Sequence, residues 1–272
     1  MEILIATAAV AVIGALCAVM LVLASKLFAV PEDKRFSELR ETLPGANCGA
    51  CGYAGCDGYA KALCEDDSVK TNLCTPGADA VAKKIADILG KEAEDVIEKV
   101  AVIHCYGDCE HTSNKMDYLG INSCEAAKTM YGGKGRCGFG CIGFGDCVKA
   151  CSQDAICLKN GIAHINTRLC VGCGTCLKAC PQGLIELIPD EERALVTCSN
   201  KEKGAVARNK CSNACIGCKK CEKSCPSGAI RVEDSLARID YSLCTKCGLC
   251  AESCPVGCIV VSDFVGIHKT NA

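Results

Sequence analysis

Cysteines recur between Cys137 and Cys254 in four runs of one design. The clearest runs begin at Cys170 and Cys244, and a third begins at Cys215. Two-residue gaps let three successive sulfurs of one tight loop reach the same iron–sulfur cluster, while a fourth cysteine, before proline, ligates the other cluster of a pair. Zinc sites use isolated Cys-x-x-Cys pairs, so the third cysteine at the same interval favours iron–sulfur clusters.

Composition points the same way. The chain has 29 cysteines in 272 residues, and an odd number of closely spaced thiols favours metal over a disulfide scaffold. No Trp and only five Phe are present, so we expect the clusters to supply much of the folding free energy. The net charge of −2 excludes a globally basic nucleic-acid-binding protein.

The runs form a tandem repeat. The segment from Cys137 aligns with the segment from Cys211, and the later run of each half aligns as well. In this alignment Phe144 occupies the place of Cys218, so the first run lacks one ligand. Cys137 is the predicted replacement, and a three-iron cluster or a non-cysteine ligand is the alternative.

A separate glycine-rich loop precedes the repeat and contains three cysteines, with a fourth further along the chain. Together with the four runs, whose fourth cysteines cross between clusters, the sequence predicts at least five [4Fe-4S] clusters. The predicted ligand sets are Cys48, Cys51, Cys56 and Cys74; Cys137, Cys141, Cys147 and Cys180; Cys170, Cys173, Cys176 and Cys151; Cys215, Cys218, Cys221 and Cys254; and Cys244, Cys247, Cys250 and Cys225.

Further cysteines match no complete motif. Cys105 and Cys198 stand at equivalent positions before the two halves of the repeat. If the intervening segment folds back on the repeat, Cys105, Cys124, Cys198 and Cys211 are candidate ligands of additional clusters; otherwise they are unligated structural thiols.

An N-terminal segment has the character of a membrane anchor. Residues 3–24 carry no charge, and at about 1.5 Å per residue such a helix crosses the roughly 30 Å hydrocarbon core. Glu2 precedes the run, whereas a secretory signal begins with basic residues. Lys26 and Lys34 follow it, which favours a cytoplasmic location for the remainder of the chain.

The predicted fold class is α+β, with one N-terminal transmembrane helix, a small helical 4Fe-4S domain and two tandem bacterial-type 2[4Fe-4S] ferredoxin-like modules. A short helix is expected over residues 92–99 and a strand over residues 100–103. The predicted divisions are 1–26 for the anchor, 27–100 for the N-terminal 4Fe-4S domain, 101–135 for a cysteine-containing linker, and 136–190 and 191–272 for the two modules.

Between Arg193 and Lys223 the chain has eight basic residues against two acidic ones. This stretch surrounds the run that begins at Cys215. It is either an ordinary charged surface or a docking face for an acidic electron donor, since complementary charge steers transient partners.

With the anchor, the Cys48 loop and the two modules in this order, the chain resembles the B subunits of Rnf electron-transport complexes, the ion-translocating ferredoxin–NAD oxidoreductases of bacteria. The resemblance implies a single-pass cell-membrane protein with cytoplasmic cluster domains, which accepts electrons from reduced ferredoxin. It also implies partner subunits that carry flavin, bind NAD and move Na+ or H+. This chain then needs no catalytic residue of its own. The alternative is a polyferredoxin subunit of another membrane redox complex, hydrogenase or formate-linked.

Overall fold

The computed structural model describes residues 2–27, 33–96, 98–189 and 193–262 of a mixed α+β chain. Its helices are α1 (Glu2–Leu27), α2 (Lys34–Thr42), α3 (Gly55–Glu65), α4 (Ala78–Leu89), α5 (Cys124–Tyr131), α6 (Asp146–Lys149), α7 (Thr175–Ala179), α8 (Gly204–Lys210), α9 (Lys220–Ser224) and α10 (Leu249–Glu252). Its strands are β1 (Lys99–Ile103), β2 (Ile156–Lys159), β3 (Ile162–Ile165), β4 (Ile185–Pro189), β5 (Arg193–Val196), β6 (Ile230–Glu233), β7 (Leu236–Ile239) and β8 (Ile259–Ser262).

Helix α1 covers the uncharged N-terminal segment. Its side chains are described for residues 11–25, where large apolar groups such as Val12 and Leu21 are 60% and 71% exposed. Among the described residues, no helix is both long and apolar enough to cross a membrane. Residue 1 and the side chains of residues 2–10 and 26, all within the predicted anchor, lie outside the described part.

Helices α2, α3 and α4 enclose a small apolar core. Leu39, Leu63 and Ile85 are fully buried there, and so is Tyr59. The Tyr59 hydroxyl donates a hydrogen bond to the carbonyl of Lys70 at 2.7 Å, which satisfies the one polar atom that this ring carries into the core. The three helices thus form a compact support for the loop that contains Cys48, Cys51 and Cys56.

The rest of the chain consists of two similar units, here called the first repeat (99–189) and the second repeat (193–262). In the first repeat β1 pairs antiparallel with β4, and β2 pairs with β3. In the second repeat β5 pairs with β8, and β6 with β7. Each repeat is therefore closed by pairing its first strand with its last.

Two expectations from the sequence, the extent of the linker and a short helix before β1, differ from the structure. Strand β1 confirms the predicted strand, but it pairs Ala101 with Leu187 and Ile103 with Ile185. Part of the segment expected to be a linker thus belongs to the sheet of the first repeat. The helix expected over residues 92–99 is wrong: residues 91–96 are not helical, and Lys99 begins β1.

The two repeats pack against each other through their strand pairs. Val100 and Val102 of β1 meet Leu195 of β5 and Val260 of β8 in one buried cluster. Hydrogen bonds join the strand ends: the Tyr106 N–H donates to the Thr197 carbonyl at 3.0 Å. This apolar face fixes the position of one repeat relative to the other.

Substitution of Leu195 tests this face. Leu195 is 1% exposed, so Leu195→Ala should lower the free energy of unfolding by about 2–5 kcal/mol through lost burial and a residual cavity. The expected result is a lower guanidinium midpoint for loss of cluster absorbance under anaerobic conditions. Leu119→Ala, at a side chain that is 97% exposed, is the matched control. Equal midpoints for the two variants would contradict the packing described here.

Candidate iron–sulfur centres

The N-terminal loop gathers one complete set of thiols. Cys56 and Cys74 are buried, and Cys48 and Cys51 are half-buried. The Cys56 N–H donates to the Asn47 side-chain oxygen at 2.9 Å, which holds the loop at the start of α3. Burial, followed by the charges of Cys56, Cys51 and Cys48, raises the pKa of the Cys74 thiol to about 11. The four sulfurs that the sequence grouped therefore lie together.

A second set lies in the first repeat. Burial, followed by the charges of Cys170, Cys173 and Cys151, raises the pKa of Cys176 to about 12. Strand β1 contributes directly, because the Ala101 N–H donates to the Cys170 sulfur at 3.3 Å. The fourth cysteine of the preceding run, Cys151, thus crosses to this set, as the spacing predicts.

The second repeat contains two sets. Burial and then Cys215, Cys254 and Cys218 raise the pKa of Cys221 to about 11, and these four thiols line one cavity of about 300 Å³.

The other set of this repeat centres on Cys250. Burial and then Cys244 raise the pKa of Cys250 to about 11, and the charge of Cys225 raises it further. Cys247, the remaining member of its run, is exposed. The geometry thus brings together cysteines that lie in different runs of the sequence.

One additional thiol touches the Cys215 set. Cys258 is 1% exposed, and its sulfur lies 3.6 Å from that of Cys254. The hydrogen bond with Cys258 lowers the pKa of Cys254 to about 5 and that of Cys215 to about 6, while the pKa of Cys258 itself is raised. An S–H group at this position, beside the sulfurs of the Cys215 set, would tune the potential of a cluster bound there. The spacing of the sequence did not reveal this role.

The remaining set of the first repeat differs from the expectation. Cys124, Cys141, Cys147 and Cys180 line one cavity of about 360 Å³. Burial and then Cys141, Cys180 and Cys124 raise the pKa of Cys147 to about 12. Cys137 does not line this cavity. In this structure Cys124, rather than the expected Cys137, lies with the other three thiols of the run that lacks a ligand at Phe144.

Helix α5 positions Cys124. Ser123 caps the helix, and its hydroxyl donates to the Asp146 carboxylate at 2.8 Å. The Glu125 N–H donates to the same oxygen at 3.1 Å. Burial alone would raise the pKa of Asp146, but these hydrogen bonds hold it below its ordinary value. Because Asp146 directly precedes Cys147, its carboxylate fixes two thiols of the set relative to each other.

Phe144 has a structural role. Its ring lies 5.2 Å from that of Tyr118 and beneath the Lys134 ammonium, 4.4 Å from the ring centroid. It also packs with Ala127 of α5. Phe144, which stands where the alignment expects a ligand, therefore packs against the segment that carries Cys124.

Four other thiols meet between the repeats. A cavity of about 440 Å³ is lined by Cys105, Cys137, Cys198 and Cys211. Of the four additional candidates from the sequence, three thus converge here and Cys124 does not. Cys17, Cys109 and Cys157 are exposed.

The donor chemistry of the five expected sites fits clusters. In the described residues no group of three or more His, Cys, Asp or Glu is placed to hold a single metal ion. A cubane spreads four thiolates around a four-iron core, whereas zinc draws its ligands to about 2.3 Å from one atom. Grouped buried thiols around open cavities, with backbone N–H donors aimed at sulfur, suit the larger cofactor.

Removal of the Cys124 sulfur provides a test of the revised set. Because that sulfur completes the Cys141, Cys147 and Cys180 group, we expect Cys124→Ala to lose iron, by up to the four atoms of one cluster. Anaerobic iron and sulfide analysis is the measurement, with Cys109→Ala at an exposed thiol as control. Undiminished iron in Cys124→Ala would show that Cys124 is not a ligand.

Comparisons with known proteins identify iron–sulfur domains in several parts of the chain. The family model "Putative Fe-S cluster" matches residues 43–76. Two models described as 4Fe-4S dicluster domains match residues 169–230 and residues 214–258. The chain therefore carries multiple 4Fe-4S clusters.

Three relatives, all B subunits of ion-translocating complexes, cover most of the chain. The relative from the proton-translocating ferredoxin:NAD(+) oxidoreductase complex of Clostridium ljungdahlii is 44% identical over 86% of this chain and 82% of its own length. The one from the Na(+)-translocating complex of Acetobacterium woodii is 38% identical over 86% of this chain and 70% of its own length. The one from the ion-translocating oxidoreductase complex of Methanosarcina acetivorans is 39% identical over 87% and 90%. The chain belongs to the family of B subunits of these membrane complexes, the Rnf ferredoxin:NAD+ oxidoreductases.

Proposed function

We propose that this chain is the iron–sulfur relay of an Rnf-type complex. It takes electrons from reduced ferredoxin and passes them to partner subunits, which reduce NAD+ and move Na+ or H+. The observation that carries the proposal is the grouping of buried thiols into successive sets along one chain. The clusters supply the one-electron chemistry; the polypeptide holds them, excludes water and donates hydrogen bonds to their sulfurs.

The proposed ligands keep four sets as the sequence predicts and change one. They are Cys48, Cys51, Cys56 and Cys74; Cys124, Cys141, Cys147 and Cys180; Cys151, Cys170, Cys173 and Cys176; Cys215, Cys218, Cys221 and Cys254; and Cys225, Cys244, Cys247 and Cys250. The proposed domains are the anchor, the N-terminal 4Fe-4S domain and two ferredoxin-like modules, the first of which begins at β1.

Contacts between the N-terminal domain and the first repeat support a continuous relay. The Lys178 ammonium donates to the Cys48 carbonyl at 3.5 Å. A Cβ added to Gly172, within the Cys170 run, would lie 3.1 Å from the methyl group of Thr75, the neighbour of Cys74. The N-terminal set therefore lies beside the Cys170 set, which suits electron passage between them.

The second repeat offers a surface on which the electron donor, reduced ferredoxin, can dock. Cys218 is exposed, and Lys219, Lys220 and Lys223 beside it are exposed as well. Lys210 is instead paired with Glu202. We assign the exposed lysines to the docking of ferredoxin through acidic groups, because such pairing raises the association rate and weakens with salt.

Rapid mixing tests the function and the docking face together. The intact complex is mixed anaerobically with reduced ferredoxin freed of dithionite, and bleaching of cluster absorbance is followed. We expect fast bleaching that slows steeply with ionic strength, and a roughly tenfold or greater loss of rate at low salt for Lys219→Glu/Lys220→Glu. Lys83→Glu/Lys84→Glu, at two exposed residues of α4, is the charge-matched control. Absent bleaching of loaded clusters contradicts the function; salt-independent bleaching contradicts only the docking face.

The membrane attachment is assigned to α1, with the cluster domains on the cytoplasmic side. Residues 3–24 are uncharged, and the described apolar side chains, Met20 among them at 71%, are exposed. Deletion of residues 2–27 should release the chain from membranes when it is expressed without its partner subunits. Resistance of the full chain to alkaline carbonate extraction is the measurement, and extraction of the full chain into the wash would contradict the assignment.

A further inference from the structure

We propose that Cys105, Cys137, Cys198 and Cys211 bind a sixth [4Fe-4S] cluster, held between the two repeats. These four cysteines line one partly open pocket, together with Cys141 of a neighbouring set, and none of the four belongs to the five sets assigned above. Cys105 and Cys211 are 6% and 7% exposed, and the other two are half-buried. A full complement of four thiols in one partly enclosed space is the ligand number that a cubane requires.

Two glycines bring the backbone close to the sulfurs of this pocket. A Cβ added to Gly107 would lie 3.1 Å from the Cys211 sulfur and 3.9 Å from the Cys105 sulfur. A Cβ added to Gly140 would lie 3.7 Å from the Cys105 sulfur. Both glycines therefore face the same group of thiols, and close backbone approach is what a bulky cofactor in the cavity needs.

Backbone N–H groups donate hydrogen bonds to two of the sulfurs, one in each repeat. The Cys141 N–H donates to the Cys105 sulfur at 3.3 Å, and the Cys215 N–H donates to the Cys198 sulfur at 3.3 Å. Hydrogen bonds of this kind stabilise thiolates and set cluster potentials. The two halves of the repeat thus prepare their thiols identically.

A buried amide serves the remaining part of the cavity. Asn200 is 1% exposed, its side-chain nitrogen lies 3.5 Å from the Cys137 sulfur, and its backbone N–H donates to the Cys198 sulfur at 3.4 Å. Glu202 orients the amide by donating its N–H to the Asn200 oxygen at 2.7 Å and accepting from the nitrogen at 3.2 Å. Asn200 therefore donates to one thiol of each repeat, to Cys137 through its side chain and to Cys198 through its backbone.

The site follows the internal repeat of the chain. Cys105 and Cys198 come just after the first strands of the two repeats, and Cys137 and Cys211 each stand four residues before the first ligand of a run. Each repeat thus contributes an equivalent pair. The segment after Cys105 is tied to α8, because the Thr112 hydroxyl donates to the Lys210 carbonyl at 2.7 Å. Neither repeat alone has the complete ligand set.

Other uses of four thiols fit less well. These cysteines are free rather than disulfide-bonded, and in the described part of the chain they do not converge closely enough for one metal ion. A zinc site would require all four sulfurs at about 2.3 Å from a single atom. A cluster matches both the number of thiols and the space between them.

The position also gives the cluster a role, which rests on the proposed function. Cys141 and Cys215, whose N–H groups donate to the site, are themselves assigned to the neighbouring centres of the two repeats. A cluster held by Cys105, Cys137, Cys198 and Cys211 would supply one-electron transfer between the Cys141 set of the first repeat and the Cys215 set of the second. Electrons thereby cross the boundary between the repeats.

Metal analysis of the full chain, purified anaerobically within its complex, tests the site. Cys198→Ala and Cys211→Ala should each lose about four iron atoms and four acid-labile sulfides per chain, the content of one cluster. Cys157→Ala, at an exposed thiol, should lose none. Counting iron does not depend on ferredoxin or NAD+, so failure here is distinguishable from failure of the proposed function.

A second pair of variants keeps all four thiols. Gly107→Ala places its methyl group against the Cys211 sulfur and should lower the iron content by up to one sixth, whereas Gly138→Ala meets nothing within 4 Å and should keep full iron. If the cysteine variants fail to fold, the difference in iron content between these two glycine variants tests the sixth cluster instead. Full iron in Cys198→Ala, Cys211→Ala or Gly107→Ala, iron for only five clusters in the unaltered chain, or zinc lost on substitution of Cys211 would overturn the proposal.

Discussion

The structure depends on grouped, buried thiols that must lose their protons to bind a cofactor. Burial, followed by the charges of neighbouring cysteines, raises the pKa of Cys74, Cys147 and Cys176 to about 11 or 12, so without metal these thiols stay protonated and contribute little beyond apolar bulk. Iron displaces their protons and forms coordination bonds in their place. The small cores of the repeats, in which cysteines stand among a few Ile and Leu side chains, therefore suffice because the cofactor stabilises the fold.

Local spacing explains why much of this arrangement was predictable. Within a run, two-residue gaps fix three sulfurs in one turn, and the fourth cysteine follows four residues after the third, so the grouping of Cys151 with the Cys170 run follows without tertiary information. The N-terminal set was predictable because three of its thiols lie in one short glycine-rich loop. Strand β1 was also predicted, but its pairing with β4 was not, because a single strand carries no signal of its partner across so long a separation.

The position of Cys124 could not be predicted from local spacing, because α5, which carries it, lies in a segment that has no counterpart in the second repeat. The expectation for Cys137 nevertheless conflicted with a feature of the alignment. If Cys137 only replaced the ligand missing at Phe144, the second repeat would need no cysteine at the matching position, because it has Cys218. Cys211 nevertheless stands at the position that matches Cys137. That equivalence marks Cys137 and Cys211 as members of one shared cavity rather than as a repair of one run.

Pairing the first strand of each repeat with its last has a consequence for biogenesis. During synthesis, β1 emerges long before β4, and β5 before β8, so neither sheet closes until the cluster loops between its strands have been made. Those loops are open to iron–sulfur delivery during that interval. The N-terminal domain, whose thiols lie within a short stretch, is complete earliest. Vectorial translation thus imposes an order of maturation that runs from the N-terminal domain to the final strand.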